Sequence, residues 1–419
     1  MGMATGKSVL LVITGSIAAY KSLELIRGLK EQGVSVTCVL TKAAEQFVTP
    51  LTCASVSGNK VYTDLFSLTD ETEMGHIELS RKNDLIVVAP ATADIIAKMA
   101  HGFADDLAST LLLATDKPVL VAPAMNVRMW EHPTTRRNVE QVRQDGAFFV
   151  GPEKGEMACG EYGMGRMVEP EQIVPEILRY YEYNRLGRPL AGMKALVTSG
   201  PTMEAIDPVR YIANRSSGKQ GHAIAESLKR LGAEVTLVTG PTHITDPVGV
   251  KVMKVESARQ MLEACYKALP CDVAICAAAV SDWRSSNVLE QKIKKSGGVE
   301  DLTFTFMENP DILECLAKHQ GSRPKLVVGF AAETEALIIN ARAKLEKKGC
   351  DWILANDVSG GSVFGKDETS IHFITNDKVE DWPEMNKKDV ATRLAVKVAE
   401  HFEENAGTPQ PKIKSVRTA

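Results

Sequence analysis

The 419-residue chain has no apolar run long enough to cross a bilayer; its longest, over 84–93 and 273–280, are far too short. It has no basic block and a formal net charge of −4, so nucleic acid is a poor candidate partner. None of its eight cysteines forms a Cys-x-x-Cys pair, and Cys271 and Cys276 lack His or Cys partners at zinc spacing. Free thiols in a reducing cytoplasm are therefore expected, with Cys38, Cys53 and Cys276 acting as small buried hydrophobes. No apolar signal region precedes the first strand and no myristoylation pattern follows Gly2, so neither export nor lipid anchoring is expected. The order Gly-x4-Gly-Lys-Ser/Thr is also missing, which excludes a Walker A loop.

What remains is an ordinary globular composition, 44% hydrophobic and 24% charged, at a length that favours two domains over one core. The run from Ser8 to Ile13 predicts a strand. Leu23, Ile26 and Leu29 then recur at helical spacing, and a second strand spans Val34 to Leu40. Strand, helix, strand is the opening of a parallel α/β sheet. The pattern returns at Asp84 to Ala89 and Pro118 to Ala122, and Glu171 to Tyr183 reads as a closing helix. The breaker-rich stretch Asn184 to Gly192 predicts a domain boundary. Beyond it the pattern restarts, with a strand at Lys194 to Thr198 and a helix at Gly221 to Leu231. Gly232 to Thr239 echoes Gly33 to Thr41, and the stretch from Ala406 reads as a disordered tail.

Several segments of the first half carry chemistry. Pro123-Ala124-Met125-Asn126-Val127-Arg128-Met129-Trp130 follows an apolar strand, where doubly wound sheets deliver ligand-contacting loops. The Asn126 carboxamide both donates and accepts, which suits a substrate carboxylate or amide; a packed turn satisfies the same pattern. Gly155, Gly160, Gly163 and Gly165 surround Cys159 and predict an irregular, substrate-covering loop. Gly15-Ser16 between strand and helix is either a tight turn or an anion site of free N–H groups. His76, after Gly75, is a capping or exposed imidazole, or a base suited to neutral pH. Asp105-Asp106 resembles a metal pair less than it does an acidic helix N-terminus.

In the second half, Arg210 offers a planar fork for phosphate, and Ser216-Ser217-Gly218 places hydroxyls and N–H groups before a helix. Asp282 closes an apolar run, where it can meet a base edge or a cation. Lys292-Ile293-Lys294-Lys295 is a cationic cluster, Glu308-Asn309-Pro310-Asp311 a helix start, and Lys344 and Lys348 share one helical face.

Taken together, the first set of motifs resembles the flavin-dependent phosphopantothenoylcysteine decarboxylases, and the second set the CTP-using phosphopantothenate–cysteine ligases. The whole chain, from about Lys7 to about Phe402, resembles the fused bifunctional family of coenzyme A biosynthesis. That resemblance implies a flavin mononucleotide (FMN) site at Gly15, Ser16, Ile17, Thr41, Ala89 and Thr92. It implies His76 as base, Asn126, with Met125, as substrate binder, and Cys159 as proton donor. In the second half it implies Asn214 stabilising an acyl-cytidylate, Lys292 assisting attack by cysteine, and Arg210 holding phosphopantothenate. Ser216, Ser217, Gly218, Asp282, Glu308, Asn309, Pro310, Asp311, Phe330, Lys344 and Lys348 would line the CTP site. Mg²⁺ or another divalent cation would assist, with Asp282 the best candidate ligand.

The expectation is thus two Rossmann-like α/β domains: a flavodoxin-like flavoprotein sheet over 1–190 and a nucleotide-binding, parallel-sheet ligase domain over 191–405, followed by a tail, 406–419. The family also implies a cytoplasmic homo-oligomer, a dodecamer built from trimeric decarboxylase and dimeric ligase contacts. A flavin prenyltransferase shares the first fold but gives no reason for Cys159 or for the second half. A flavin-binding regulatory protein without chemistry would be expected to have lost His76, Asn126 or Cys159, and all three are present.

Overall fold

The computed structural model describes residues 5–64, 75–293, 303–333, 337–357 and 368–405, and divides the chain into two compact units, Met1–Arg185 and Leu186–Ala419. The expected tail, 406–419, lies outside the described residues.

In the first unit six parallel strands, β1 (Ser8–Ile13), β2 (Ser35–Leu40), β3 (Val61–Tyr62), β4 (Leu85–Ala91), β5 (Val119–Pro123) and β6 (Phe148–Phe149), lie in the order β3-β2-β1-β4-β5-β6. Without the two-residue edge strand β3 this is the flavodoxin-like order 2-1-3-4-5. The strands are apolar throughout because both faces are covered. Val9, Leu11 and Ile13 pack into one core with Leu25, Ile26 and Leu29, while Leu10 and Val12 pack into another with Ile95, Ile96 and Leu111. An antiparallel hairpin, β7 (Glu153–Glu156) and β8 (Tyr162–Arg166), precedes the closing helix Pro170–Leu186.

Two expectations change here. The glycine-rich segment around Cys159 is largely that hairpin rather than an irregular loop. Its glycines alternate inward along β8, Gly163 against Val127 and Gly165 against Met125, where a larger residue would clash. Asn184, Arg185 and Leu186 finish the closing helix instead of beginning a linker.

The second unit repeats the scheme. Its main sheet joins β9 (Lys194–Ser199), β12 (Glu234–Thr239), β13 (Lys251–Lys254), β14 (Val273–Cys276), β17 (Leu326–Glu333), β18 (Trp352–Asp357), β19 (Glu368–Thr375) and β20 (Val379–Asn386). Their order is β13-β12-β9-β14-β17-β18-β19-β20, parallel as far as β18. Two small antiparallel pairs sit apart from it, β10 (Met203–Ala205) with β11 (Tyr211–Ala213), and β15 (Trp283–Ser285) with β16 (Phe306–Glu308).

One device recurs at the amino ends of the strands. Asp84, just before β4, accepts from the Ser8 N–H at 2.9 Å. Asp272, before β14, accepts from Lys194 N–H at 2.8 Å, and Asp351, before β18, from Val327 N–H at 2.7 Å. Each carboxylate satisfies a donor that the sheet leaves unpaired where a neighbouring strand begins. The opposite, carboxyl ends are left to ligand-binding loops. The order reverses beside β1 and β4 in the first unit, and beside β9 and β14 in the second.

Candidate active sites

At the first reversal point two cavities adjoin. One, of about 510 Å³, is lined by Thr14, Gly15, Ser16, Thr41, Thr92 and Met125 among others. The other, of about 430 Å³, is lined by Ser16, Ile17, Met125, Asn126, Cys159 and Arg166 among others. Both volumes fall within the range of small-molecule sites, about 300–1,000 Å³. They share Ser16, Ala124 and Met125, so a ligand in one abuts a ligand in the other.

Local chemistry explains how these residues reach the cavities. Ser16 caps a 3₁₀ turn by accepting from the Ala18 N–H at 3.2 Å, and Thr92 caps the helix Ala93–His101 through the Ile95 N–H at 3.4 Å. Thr14 ties the two loops together, donating to the Pro90 carbonyl at 2.7 Å. Gly15 leaves no room for a side chain: a Cβ there would lie 2.4 Å from that of Ala43. Of the expected cofactor residues, Ala89 lines neither of these two cavities. It is fully buried in β4 within the core, because inward positions of a doubly covered sheet go to packing.

Asn126 and Cys159 come together although 33 residues apart in sequence. The Asn126 Oδ1 caps the turn of helix Val127–Glu131, accepting from the Arg128 N–H at 2.7 Å. That fixes its Nδ2, which donates to Cys159 Sγ at 3.3 Å and to the Glu161 carboxylate. All eight cysteines are free, and Cys159 alone is exposed. Burial pushes the Cys38 and Cys265 thiols up to about 12, which leaves them inert. Cys38 and Cys53 are buried as expected, while Cys276 is half-buried at the end of β14. His76 lies in the helix Gly75–Lys82; its side chain is outside the described residues.

Three polar groups here were not singled out from the sequence. Glu161 bonds Asn126. Buried Lys21 lines the smaller cavity and reaches the Met167 carbonyl at 3.0 Å and Glu169 at 2.8 Å. Lys98 lines the larger one and pairs with Asp105 at 2.8 Å, Asp106 at 3.0 Å and Asp94 at 3.8 Å. Burial alone would lower the Lys98 pKa, but these carboxylates outweigh it and raise it. Asp106 is the cap of the helix Leu107–Ala114, in agreement with the acidic N-terminus expected. Only the Asp94–Lys98 spacing, four residues on a helix, signalled this cluster in the sequence.

In the second unit the expected residues lie on either side of β11, after β14, at the end of β16, within β17 and on the helix Leu337–Lys348. Ser199, ending β9, donates to the Gly218 carbonyl at 2.9 Å, beneath Ser216 and Ser217. The Asn214 Nδ2 donates to Val280 O at 2.8 Å. Next to it, the Asp282 carbonyl accepts from the Asn309 N–H at 2.8 Å, beside Glu308 and Pro310. Asp311 caps the helix Ile312–Ala317 and pairs with Lys348 at 2.7 Å, while Lys344 donates to the Phe330 carbonyl at 3.2 Å. Arg210 pairs with buried Asp207 at 3.1 Å, and Asp207 also accepts from the Ile293 N–H at 3.2 Å, drawing exposed Lys292 alongside. The Asn309 carboxamide is used internally, donating to Ser281 O at 2.9 Å and accepting from Arg284 at 3.1 Å. His222, which the sequence reading passed over, lies buried at the base of this loop, 3.0 Å from Gly218 O and from Ser199 Oγ. Among the described residues no cluster of three His, Cys, Asp or Glu side chains could hold a metal, and no helix is long and apolar enough to cross a membrane.

Two nucleotide-type folds on one chain, the first with paired cavities flanked by a carboxamide and an exposed thiol, define a two-site enzyme containing a flavoprotein unit. A family model described as Flavoprotein matches residues 2–181, and one described as DNA/pantothenate metabolism flavoprotein C-terminal domain matches 190–402. The coenzyme A biosynthesis bifunctional protein CoaBC of Vibrio vulnificus is 46% identical over 389 residues, 92% of this chain and 94% of that protein. That of Haemophilus influenzae is 43% identical over 399 residues, 95% of this chain and 98% of that protein. The solved C-terminal domain of such a protein is 35% identical, with a TM-score of 0.44, covering 52% of this chain and all of that one. The chain belongs to this family of bifunctional coenzyme A biosynthesis proteins. Both activities implied by the resemblance, phosphopantothenoylcysteine decarboxylase and phosphopantothenate–cysteine ligase, come with that membership.

Proposed function

We propose that the second unit joins cysteine to 4′-phosphopantothenate through an acyl-cytidylate made from CTP, and that the first decarboxylates the product to 4′-phosphopantetheine. The observation that carries the first half is the pair of adjoining cavities, with Asn126 and Cys159 within 3.3 Å of one another at the smaller. The larger cavity fits FMN: Gly15 opens the cradle, the capped turn at Ser16 offers N–H groups to a phosphate, and Thr41 and Thr92 add hydroxyls. When bound, FMN supplies the reversible two-electron oxidation that gives the departing carboxylate's electrons somewhere to go. Asn126 Nδ2 holds that carboxylate, His76 takes the proton of the substrate thiol, and Cys159 returns a proton to the carbon skeleton after carbon dioxide leaves. Ala89 we assign to packing rather than to the flavin.

In the ligase half, Lys344, Lys348 and the Ser216 to Gly218 turn receive the triphosphate, with Asp282 and Phe330 near the base. Asn214 and Lys292 serve the activated acyl group and Arg210 the phosphopantothenate. Mg²⁺ or another divalent cation would balance the nucleotide phosphates, with Asp282 its candidate protein ligand. The chain acts as a cytoplasmic homo-oligomer, a dodecamer of trimeric and dimeric contacts. The exposed side chains of Ile17, Tyr20 and Met129 in the first unit, and of Tyr211, Trp283 and Phe306 in the second, suit such contacts.

The test is the product mixture from phosphopantothenate, cysteine, CTP and Mg²⁺, read by mass spectrometry. Wild type should yield phosphopantetheine and CMP, and Asn126→Asp should stall at phosphopantothenoylcysteine. CMP without decarboxylated product from wild type would remove the decarboxylase reading.

A further inference from the structure

A thiol that gives up a proton in each turnover must regain one before the next. Cys159 sits at the tip of the β7–β8 hairpin, and its thiol donates to the carboxylate of Glu161, with Sγ 3.8 Å from Oε2. The same oxygen accepts from Asn126 Nδ2, whose other donor contact is Cys159 Sγ at 3.3 Å. Thiol, carboxamide and carboxylate thus close a triangle. Arg128 Nε lies 4.0 Å from the other oxygen, Glu161 Oε1, and the charged groups that line the smaller cavity beside Cys159 are Lys21, Glu156 and Arg166. Glu161 is only partly buried, so water reaches it as well as the thiol.

We propose that Glu161 is the proton relay that recharges Cys159. The Cys159 S–H bond breaks as a C–H bond forms on the product skeleton. Glu161 takes one solvent proton (hydronium, leaving water) and passes it to the thiolate, restoring S–H and the carboxylate; this is the proton that the decarboxylation consumes for each carbon dioxide released. Proton and charge balance, and no oxidant or reductant is consumed. A carboxylic acid is a stronger acid than a thiol, so the transfer to the thiolate runs downhill. In the same position the carboxylate accepts the S–H, which holds the thiol proton in place until the product carbon takes it. Glu161 therefore acts through Cys159, and this role rests on the reading of Cys159 as proton donor.

The test separates the first turnover from later ones. In Glu161→Gln holoenzyme mixed with excess phosphopantothenoylcysteine, the expected result is a burst of one phosphopantetheine per bound flavin at the wild-type rate, followed by a steady state at least tenfold slower. Formate should restore the steady state in Glu161→Ala. A second readout does not depend on turnover: alkylation of Cys159 by iodoacetamide, followed by peptide mass, should be several-fold faster in Glu161→Gln because the opposing charge is gone. A steady state equal to wild type overturns the proposal. So does a slowed first turnover with raised KM and no rescue by formate, which would make Glu161 a shaper of the site only. Cys159→Ser is run in parallel. Full turnover there removes the reading of Cys159 itself, a result distinguishable from failure of the relay alone. Unchanged CMP release and flavin content establish that each variant is folded.

Discussion

A methyl group on Gly165 would lie 2.4 Å from the carbonyl oxygen of Met125, and the Met125 N–H already donates to Gly165 O at 3.0 Å. This contact docks the hairpin that carries Cys159 onto the loop that carries Asn126. Gly165 also has φ +136°, outside the range other residues adopt with ease. Gly165→Ala should separate the two loops, cost about 1–3 kcal/mol by overpacking and lower decarboxylation at least tenfold. Thermal unfolding and phosphopantetheine formation measure the two effects. An alanine variant with wild-type turnover would remove the docking argument.

Acid stability should depend on the strand latches. Burial by itself would raise the Asp84 pKa, but the Ser8 N–H and hydroxyl and the Lys7 ammonium outweigh it and hold the carboxyl below its usual range. A depressed carboxylate adds stability that is present above about pH 4 and is lost as pH falls through the lower folded value. Asp84→Asn should therefore be less stable than wild type at pH 7, by about 1.5–3 kcal/mol for hydrogen bonds to a charged group. The gap should narrow as pH drops below about 4. Denaturant titrations at pH 7 and pH 3 test this, and an equal gap at both would refute it.

The two sites should fail independently. Lys344 reaches Phe330 O at 3.2 Å from a helix beside the proposed nucleotide site. Lys344→Ala should raise the KM for CTP or lower kcat by about tenfold or more, the loss of one charge-assisted contact. It should leave decarboxylation of supplied phosphopantothenoylcysteine unchanged, so assaying both activities on one preparation decides the matter.

Removing divalent cations separates the halves in another way. EDTA should abolish CMP formation, because the nucleotide phosphates need their counter-charge, and should leave decarboxylation intact. Retained CMP formation in excess chelator would count against a metal-assisted ligase.

The strands expected at Ser8–Ile13, Val34–Leu40, 84–89, 118–122 and 194–198 were legible to within two residues, because an apolar, β-branched run covered on both faces has few other ways to fold, whereas β3, β6, β13, β19 and β20 were not. The Ser8–Ile13 strand and the Lys194–Ser199 strand are examples. Motif positions such as Gly15-Ser16, Met125-Asn126 and Ser216 to Gly218 were legible for a related reason: each follows a strand end, where topology places ligand loops. The hairpin was not. Its glycines signal irregularity locally and show their purpose only against Met125 and Val127. Nor was the burial of Ala89, since a motif in sequence does not say which side of a strand faces the ligand.

The sequence by itself determined two α/β units with parallel strands, the motif-bearing loops at strand ends, and the free-thiol character of the cysteines, because periodicity, turn residues and composition are local properties. Only the tertiary structure decided that Glu161 bridges Asn126 and Cys159, that Lys98 gathers Asp94, Asp105 and Asp106, and that Lys348 meets Asp311. Apart from the Asp94–Lys98 pair, one turn apart on a helix, such pairings join groups up to 37 residues apart, as with Asp311 and Lys348, and are set by how strands and helices stack.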